Sequence, residues 1–197
     1  MKRVFDIVAS LTGLILLSPI FIILIVIIRA ESKGNAFFSQ IRVGQFEKDF
    51  KLFKFRSMYI DSGRKGLLTI GEKDPRITRV GYFLRKYKLD ELPQLFNVFV
   101  GDMSLVGPRP EVRKYVDRYT PEQKLILQVK PGITDYASIK FRNENELLNS
   151  SANPEEFYIN TIVPEKIALN MVFIKEPSLT AYFQIILKTI AVAISGR

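Results

Sequence analysis

Asp90 and Glu91 are adjacent carboxylates. They follow a basic stretch that holds Arg76, Arg79, Arg85, Lys86 and Lys88, and they precede a stiff corner, Gly107-Pro108-Arg109-Pro110. Carboxylates among cations suit chemistry on a phosphorylated substrate, because one group must hold the anion while another attacks it. The chain has no histidine and no cysteine. That excludes imidazole bases, histidine triads, thiolate nucleophiles and zinc sites of the His or Cys type. Catalysis falls to Asp, Glu, Lys, Arg, Tyr, Ser or Thr. A metal would be a hard cation on oxygen, with Mg²⁺ the first choice. The 197 residues suffice for one compact domain. A net charge of +9, from 29 Lys+Arg against 20 Asp+Glu, points to anionic partners.

Each motif has a plain structural reading beside the chemical one. Acids at the start of a helix are favoured by its dipole and by free backbone N–H groups, so Asp90 and Glu91 read equally as caps for the helix that Pro93 opens. Arg109 between two prolines is either a solvated turn residue or a guanidinium pre-organised to grip a phosphate. Lys51, Lys54 and Arg56 alternate along a strand. Their readings are a solvated sheet face, a contact with lipid headgroups, or a contact with nucleotide phosphates. The aromatic residues fall at core spacing and form no stacking platform, so no nucleic-acid partner is expected.

The elements that would position these residues begin with an uncharged run from Ile7 to Ile28, long enough to span a bilayer as one straight helix. Ser18-Pro19 interrupts it. Proline removes a backbone hydrogen bond and kinks a helix, and a serine hydroxyl beside it can satisfy the freed carbonyl. Both flanks are basic, with Lys2 and Arg3 before and Arg29 and Lys33 after. Entry and exit on one face would obey the positive-inside preference at both ends. From the residues alone, a spanning and a re-entrant segment both stay open. The run is long for a signal peptide and no small-x-small cleavage site follows it.

Downstream, residues 36–58 predict a β-hairpin turning near Gly44–Asp49. The stretch Asp61–Asp74, with Gly63, Gly66 and Gly71, predicts a mobile loop near the site. Helices are predicted over Ile77–Tyr87, after Pro93, after Pro121 and from Pro164 to about Phe173. Lys130–Thr134 reads as a turn, and 142–157 as a loop or irregular helix. Leu179–Ile194, apolar with one charge at Lys188, reads as a helix on the membrane interface or packed on the core. The predicted fold class is α+β and mostly helical. It has a helix-break-helix at the N-terminus, a small β-hairpin and amphipathic interfacial helices.

Taken in order, these pieces resemble the bacterial sugar transferase family, the monotopic polyprenyl-phosphate phosphoglycosyl transferases. The resemblance runs from Lys2-Arg3-Val4-Phe5-Asp6 and the broken apolar segment, through Phe37-Phe38-Ser39-Gln40 with Arg42 and Gly44, to Phe53-Lys54-Phe55-Arg56-Ser57-Met58. It continues through Asp74-Pro75-Arg76-Ile77-Thr78 and Leu89-Asp90-Glu91-Leu92-Pro93-Gln94-Leu95-Phe96-Asn97-Val98. It closes with Gly101–Pro110 and Lys130–Thr134.

The resemblance implies transfer of a sugar-1-phosphate from a UDP-sugar to undecaprenyl phosphate, as a first membrane step of surface glycan synthesis. It implies Asp90 as nucleophile and Mg²⁺ ligand, Glu91 as its helper, and Lys54, Arg85 and Arg109 as phosphate-holding residues. It also implies that Ser18 and Pro19 form the break of a re-entrant helix. Residues 1–34 would be that membrane helix and residues 35–197 a catalytic unit on the cytoplasmic face of the bacterial inner membrane. The absence of further N-terminal membrane helices reads as a small stand-alone catalytic unit. After Thr134 the chain departs from the family pattern: Asp135-Tyr136-Ala137-Ser138-Ile139-Lys140-Phe141-Arg142 stands where relatives often have Gly-Trp-Ala-Gln-Val-Asn-Gly-Arg. The sugar is therefore left open, as is the oligomeric state. The rival reading is a membrane-anchored basic adaptor that binds anionic lipid or a partner protein, for which the Asp90-Glu91 pair would be dispensable.

Overall fold

The computed structural model describes residues 2–60, 68 and 74–195. The predicted loop with Gly63, Gly66 and Gly71 lies outside them, apart from Leu68 and Asp74. The apolar segment forms two helices, α1 (Lys2–Leu16) and α2 (Ser18–Glu31), bent by 58°. The local cause is legible atom by atom. Pro19 has no N–H to give the carbonyl of Ile15, four residues back, and the hydroxyl of Ser18 donates to that carbonyl instead at 2.7 Å. Among the described residues no single helix is long and apolar enough to cross a membrane, but the bent pair meets that measure together. Ile20, Ile22, Ile23, Val26 and Ile27 of α2 are exposed, while Leu24 and Ile28 are buried against the body of the protein.

The hairpin is present, as β1 (Phe37–Val43) and β2 (Asp49–Phe55), antiparallel with Phe37 opposite Phe55. Helix α3 (Arg79–Lys86) follows, capped by Thr78, whose hydroxyl accepts from Gly81 N at 2.8 Å. Gly81 is required by close approach, since a Cβ there would lie 1.9 Å from the carbonyl oxygen of Ser57. Helix α4 (Gln94–Val100) ends at Gly101, in the left-handed region at φ 106°. The side chain of Asn97, fully buried, ties α4 to β2: it accepts from Phe53 N at 3.0 Å and donates to Lys51 O at 2.7 Å.

Lys130–Thr134 is not a simple turn. Its last three residues form β4 (Gly132–Thr134), which pairs in parallel with β3 (Ser104–Val106). Gly107 and Gly132 permit this approach, because a Cβ on Gly132 would lie 2.0 Å from Gly107 N. The segment after Pro121 is a 3₁₀ helix over Gln123–Gln128. The remaining α-helices among the described residues are α5 (Arg113–Val116), α6 (Tyr136–Lys140), α7 (Glu144–Asn149), α8 (Pro154–Phe157), α9 (Val163–Lys175) and α10 (Leu179–Ser195), with a π-helical turn over Tyr158–Ile162 joining α8 to α9. The irregular 142–157 stretch thus resolves into two short helices.

In α10, Tyr182 and Ile185 are buried with Val106, and Leu187 and Ile190 are exposed. Asp6, buried in α1, joins the two ends of the chain. It accepts from Ser104 Oγ at 2.8 Å, Leu105 N at 3.0 Å and Tyr182 Oη at 2.5 Å.

Candidate active site

Asp90 and Glu91 sit in a 3₁₀ turn, Leu89–Glu91, that follows Lys88. Lys88 is held in the left-handed region at φ 56°, a conformation that costs a non-glycine residue on the order of 1 kcal/mol. The turn is fixed from below by Leu89 and Leu92, which pack on Leu24, Ile28, Phe55 and Leu84. Neither acid caps α4: its N-cap is Pro93, with no side-chain capping bond. The two carboxylates turn instead to a cavity of about 420 Å³. Lys54, Arg42, Arg85, Lys88 and Arg109 line its polar part, and Val112, Tyr115, Ile126, Leu148 and Ile167 its apolar part.

The two acids have opposite surroundings. Glu91 is fully engaged: Lys54 Nζ donates to Oε1 at 3.1 Å, Arg109 Nη1 donates to Oε2 at 3.2 Å, and Arg109 Nη2 donates to Oε1. Asp90 is 5% exposed, and its Oδ1 has no hydrogen-bond partner among the described residues. Burial pushes the Asp90 carboxyl above the usual range, helped by the charge of Glu91 and opposed by Lys54 and Arg85. Burial would push Glu91 up too, but Arg109 and Lys54 outweigh it and hold Glu91 well below the usual range. Burial likewise lowers Lys54 and Arg85, against the pull of Glu91 and Asp90 respectively. Glu91 raises Arg109 further above its ordinary value. Two neighbouring carboxylates driven apart in this way can divide the work: one stays an anion that organises cations, and the other is the more basic and has a free oxygen.

Arg109 is placed by more than its prolines. Asp135, buried, accepts from Arg109 N at 3.0 Å and from Asn170 Nδ2 at 2.7 Å, and it caps α6 through Ser138 N. The divergent segment after Thr134 therefore supports the backbone of Arg109. Arg42, which motif spacing alone did not single out, stands in the same cavity. It donates to Pro110 O at 3.1 Å and Gln40 Oε1 at 2.9 Å, and pairs with Glu111 at 3.5 Å.

All five expected site residues, Lys54, Arg85, Asp90, Glu91 and Arg109, thus come together at one cavity. Ser18 and Pro19 lie apart from it, at the bend. Arg56 departs from all three readings of its strand: the solvated face, the lipid-headgroup contact and the nucleotide-phosphate contact. It is 7% exposed and donates to backbone carbonyls at the end of α2. Asn97 and Asp6 were also missed, although a polar residue inside an apolar helical run was the available signal for both.

No cluster of three or more carboxylates that could cage a metal occurs among the described residues. The donor chemistry fits a cation that takes one protein carboxylate and completes its shell from substrate phosphates and water, which is the habit of Mg²⁺. Asp90 Oδ1 is the available oxygen, since both oxygens of Glu91 are already committed.

Comparison with known proteins adds a lineage to this geometry. The profile described as "Bacterial sugar transferase" matches residues 1–196. A UDP-N-acetylgalactosamine-undecaprenyl-phosphate N-acetylgalactosaminephosphotransferase of Aeromonas hydrophila is 38% identical, over 99% of this chain and 44% of its own. A putative undecaprenyl-phosphate N-acetylgalactosaminyl 1-phosphate transferase of Bacillus subtilis is 46% identical, over 61% of this chain and 68% of its own. A UDP-glucose:undecaprenyl-phosphate glucose-1-phosphate transferase of Escherichia coli is 38% identical, over 82% of this chain and 36% of its own. The chain thus matches less than half the length of the Aeromonas and Escherichia relatives, and the sugars in these names differ.

Proposed function

The chain belongs to the bacterial sugar transferase family, and from that membership and the site's geometry we propose that it moves a sugar-1-phosphate from a UDP-sugar to undecaprenyl phosphate. The observation that carries the proposal is the division between the two acids. Glu91 is saturated by Lys54 and Arg109, while Asp90 keeps an unpartnered, buried oxygen beside Lys54, Arg85 and Lys88.

In the first step Asp90 attacks the phosphorus that bears the sugar. The bond from that phosphorus to the bridging oxygen breaks, UMP leaves with the oxygen, and an acyl phosphate remains on Asp90. In the second step an oxygen of the lipid phosphate attacks the same phosphorus and breaks the aspartyl bond. This gives the polyprenyl diphosphate sugar and restores the carboxylate. The bond from the sugar's C1 to oxygen is never touched, so the anomeric configuration passes unchanged.

Arg85, Lys88 and Arg109 hold the donor's phosphates, and the local excess of cations favours bringing a diphosphate beside a carboxylate. Glu91 acts by neutralising and aiming Lys54 and Arg109; as a paired anion held well below the usual carboxylate range, it is a poor proton acceptor. Mg²⁺, held through Asp90, would supply charge neutralisation where anionic nucleophile and anionic substrate meet.

The bent α1–α2 pair, apolar outward, supports a monotopic placement with residues 35–197 at the cytoplasmic face of the bacterial inner membrane. The test is release of UMP from a panel of UDP-sugars in the absence of lipid. One equivalent per chain from the wild type and none from Asp90→Asn is expected. Full turnover by Asp90→Asn would refute the mechanism.

A further inference from the structure

Lys54 near the end of strand β2 and Arg56 just after it are two cations two residues apart, and they do different things. Lys54 donates to Glu91 in the site. Arg56 turns its guanidinium to the C-terminal end of α2 and the turn beyond it. It donates to Ser32 O at 2.7 Å, to Ile28 O at 3.3 Å and to Lys33 O.

The last carbonyls of a helix lack partners within it and carry the negative end of its dipole. A planar guanidinium can engage several of them at once, which an ammonium does less well. The chain wraps closely around this group. Arg56 N donates to Ala36 O at 2.7 Å. Gly34 lies at φ +113°, and a Cβ there would come within 2.9 Å of Arg56 Nη1.

The same end of α2 touches the catalytic turn. Leu89 and Leu92, on either side of Asp90 and Glu91, pack on the cluster of Leu24, Ile28, Ala36, Phe55 and Leu84. Helix α2 therefore has an apolar fastening to the Asp90 turn and a polar fastening to the strand that carries Lys54. The apolar one holds the helix on the body without fixing its angle, since aliphatic packing is non-directional. Directional bonds fix the angle: the guanidinium donates to Ile28 O of α2 and to the carbonyls of Ser32 and Lys33 just beyond it, and Glu31 of α2 accepts from Val80 N at 3.1 Å.

We infer that Arg56 is a positioning residue for the acceptor half of the reaction. It sets the angle of the bent membrane helix so that a polyprenyl phosphate on the membrane side of α2 meets the phosphosugar on Asp90. This rests on the transfer reading above. Arg85, Lys88 and Arg109, which hold the donor, stand on or beside other elements. When Arg56 is replaced, Glu31 of α2 still holds α3, which carries Arg85, by accepting from Val80 N at 3.1 Å, so donor attack and UMP release lean on Arg56 less than the acceptor step does.

The experiment uses the full chain in lipid nanodiscs, as wild type, Arg56→Gln and Arg56→Lys. UMP release without undecaprenyl phosphate should stay within about twofold of wild type in both variants. Transfer to undecaprenyl phosphate should fall at least about tenfold in Arg56→Gln, through a raised KM for the lipid, and be partly restored in Arg56→Lys, since each charge-assisted bond to a buried carbonyl is worth about a decade. The chain has no cysteine, so spin labels can be placed uniquely at Ile22→Cys on α2 and Lys48→Cys at the hairpin tip, both exposed. Their distance distribution should be narrow in wild type and broad in Arg56→Gln.

Equal loss of both half-reactions, or an unchanged distance distribution in Arg56→Gln, overturns the inference. A wild-type chain that releases no UMP from any donor would overturn the transfer reading and, with it, the acceptor role. The label distances test the helix fastening independently.

Discussion

Replacing each acid of the pair by its amide should move stability in opposite directions. In Glu91→Gln, one oxygen remains to accept a hydrogen bond, but Lys54 and Arg109 lose the anion between them. Removing one partner of a buried ion pair costs about 3–5 kcal/mol. The Arg109 side chain is 34% exposed, so water screens its share and the lower end applies, about 3 kcal/mol. For a chain of this size that corresponds to a fall in Tm of about 6–12 °C.

Asp90→Asn removes a carboxylate whose ionised form burial disfavours, so this variant should be at least as stable as wild type at neutral pH while losing all transfer. The pH dependence separates the two. Glu91 has a folded pKa held below its unfolded value of about 4.3. Its contribution is fully present above that value and is lost only as pH falls through the depressed folded pKa. The Glu91→Gln deficit should therefore be constant from about pH 7 to 5 and close only below about 4. Asp90 has a raised folded pKa. The advantage of Asp90→Asn should shrink as pH falls from that raised value toward about 3.9.

The assay is thermal unfolding of wild type and both variants across this pH range, with EDTA present to exclude metal. A Glu91→Gln chain as stable as wild type at pH 7 would refute the assignment of Glu91 as the anion that organises Lys54 and Arg109. So would a deficit that already closes between pH 7 and 5.

Three further outcomes follow from the same geometry. Asn97→Ala strands the N–H of Phe53 and the carbonyl of Lys51 inside the protein and opens a small void. It should cost about 3 kcal/mol in thermal or denaturant unfolding, and a loss under 1 kcal/mol would contradict the docking role given to Asn97. Asp135→Asn leaves one acceptor oxygen where a carboxylate serves Arg109 N, Ser138 N and Asn170 Nδ2. It should raise the KM for the sugar nucleotide about tenfold, through displacement of Arg109, and an unchanged KM would remove Asp135 from the support of the site. Single cysteines at Lys2 and Lys33 should both be labelled by an impermeant reagent from the same side of sealed vesicles. Labelling from opposite sides would make α1–α2 a broken span instead of a re-entrant pair.

What could be read from the sequence was whatever local chemistry decides. The Ser18-Pro19 break is local: the missing N–H of Pro19 and the hydroxyl beside it act on one carbonyl, that of Ile15. The hairpin was legible because seven residues on each strand are enough to show alternation. Strands β3 and β4 were not legible. Each has three residues, their pairing joins Ser104 to Gly132 and Val106 to Thr134, and only the facing glycines hint at it.

At the site, residue types and order brought out Asp90, Glu91, Lys54, Arg85 and Arg109. They could not show that Glu91 takes both Lys54 and Arg109, because that depends on where β2 lies against the Leu89–Glu91 turn. Arg56 failed for the same reason: alternation placed it on the side of Lys54, but its partners are carbonyls at the end of α2 and in the turn beyond it, more than twenty residues away. Helix capping, a sound reading of acids before a proline, was overridden because the 3₁₀ turn aims both carboxylates into the cavity.

The central claim is that Asp90 carries the sugar phosphate. The most direct measurement is mass spectrometry of the intact chain and of its peptides after incubation with Mg²⁺ and a UDP-sugar that supports UMP release, without undecaprenyl phosphate. The account predicts a gain of one sugar-phosphate on the peptide containing Asp90, lost on addition of undecaprenyl phosphate with appearance of the lipid-linked sugar. Turnover with no adduct on trapping, or an adduct on any other residue, would contradict it.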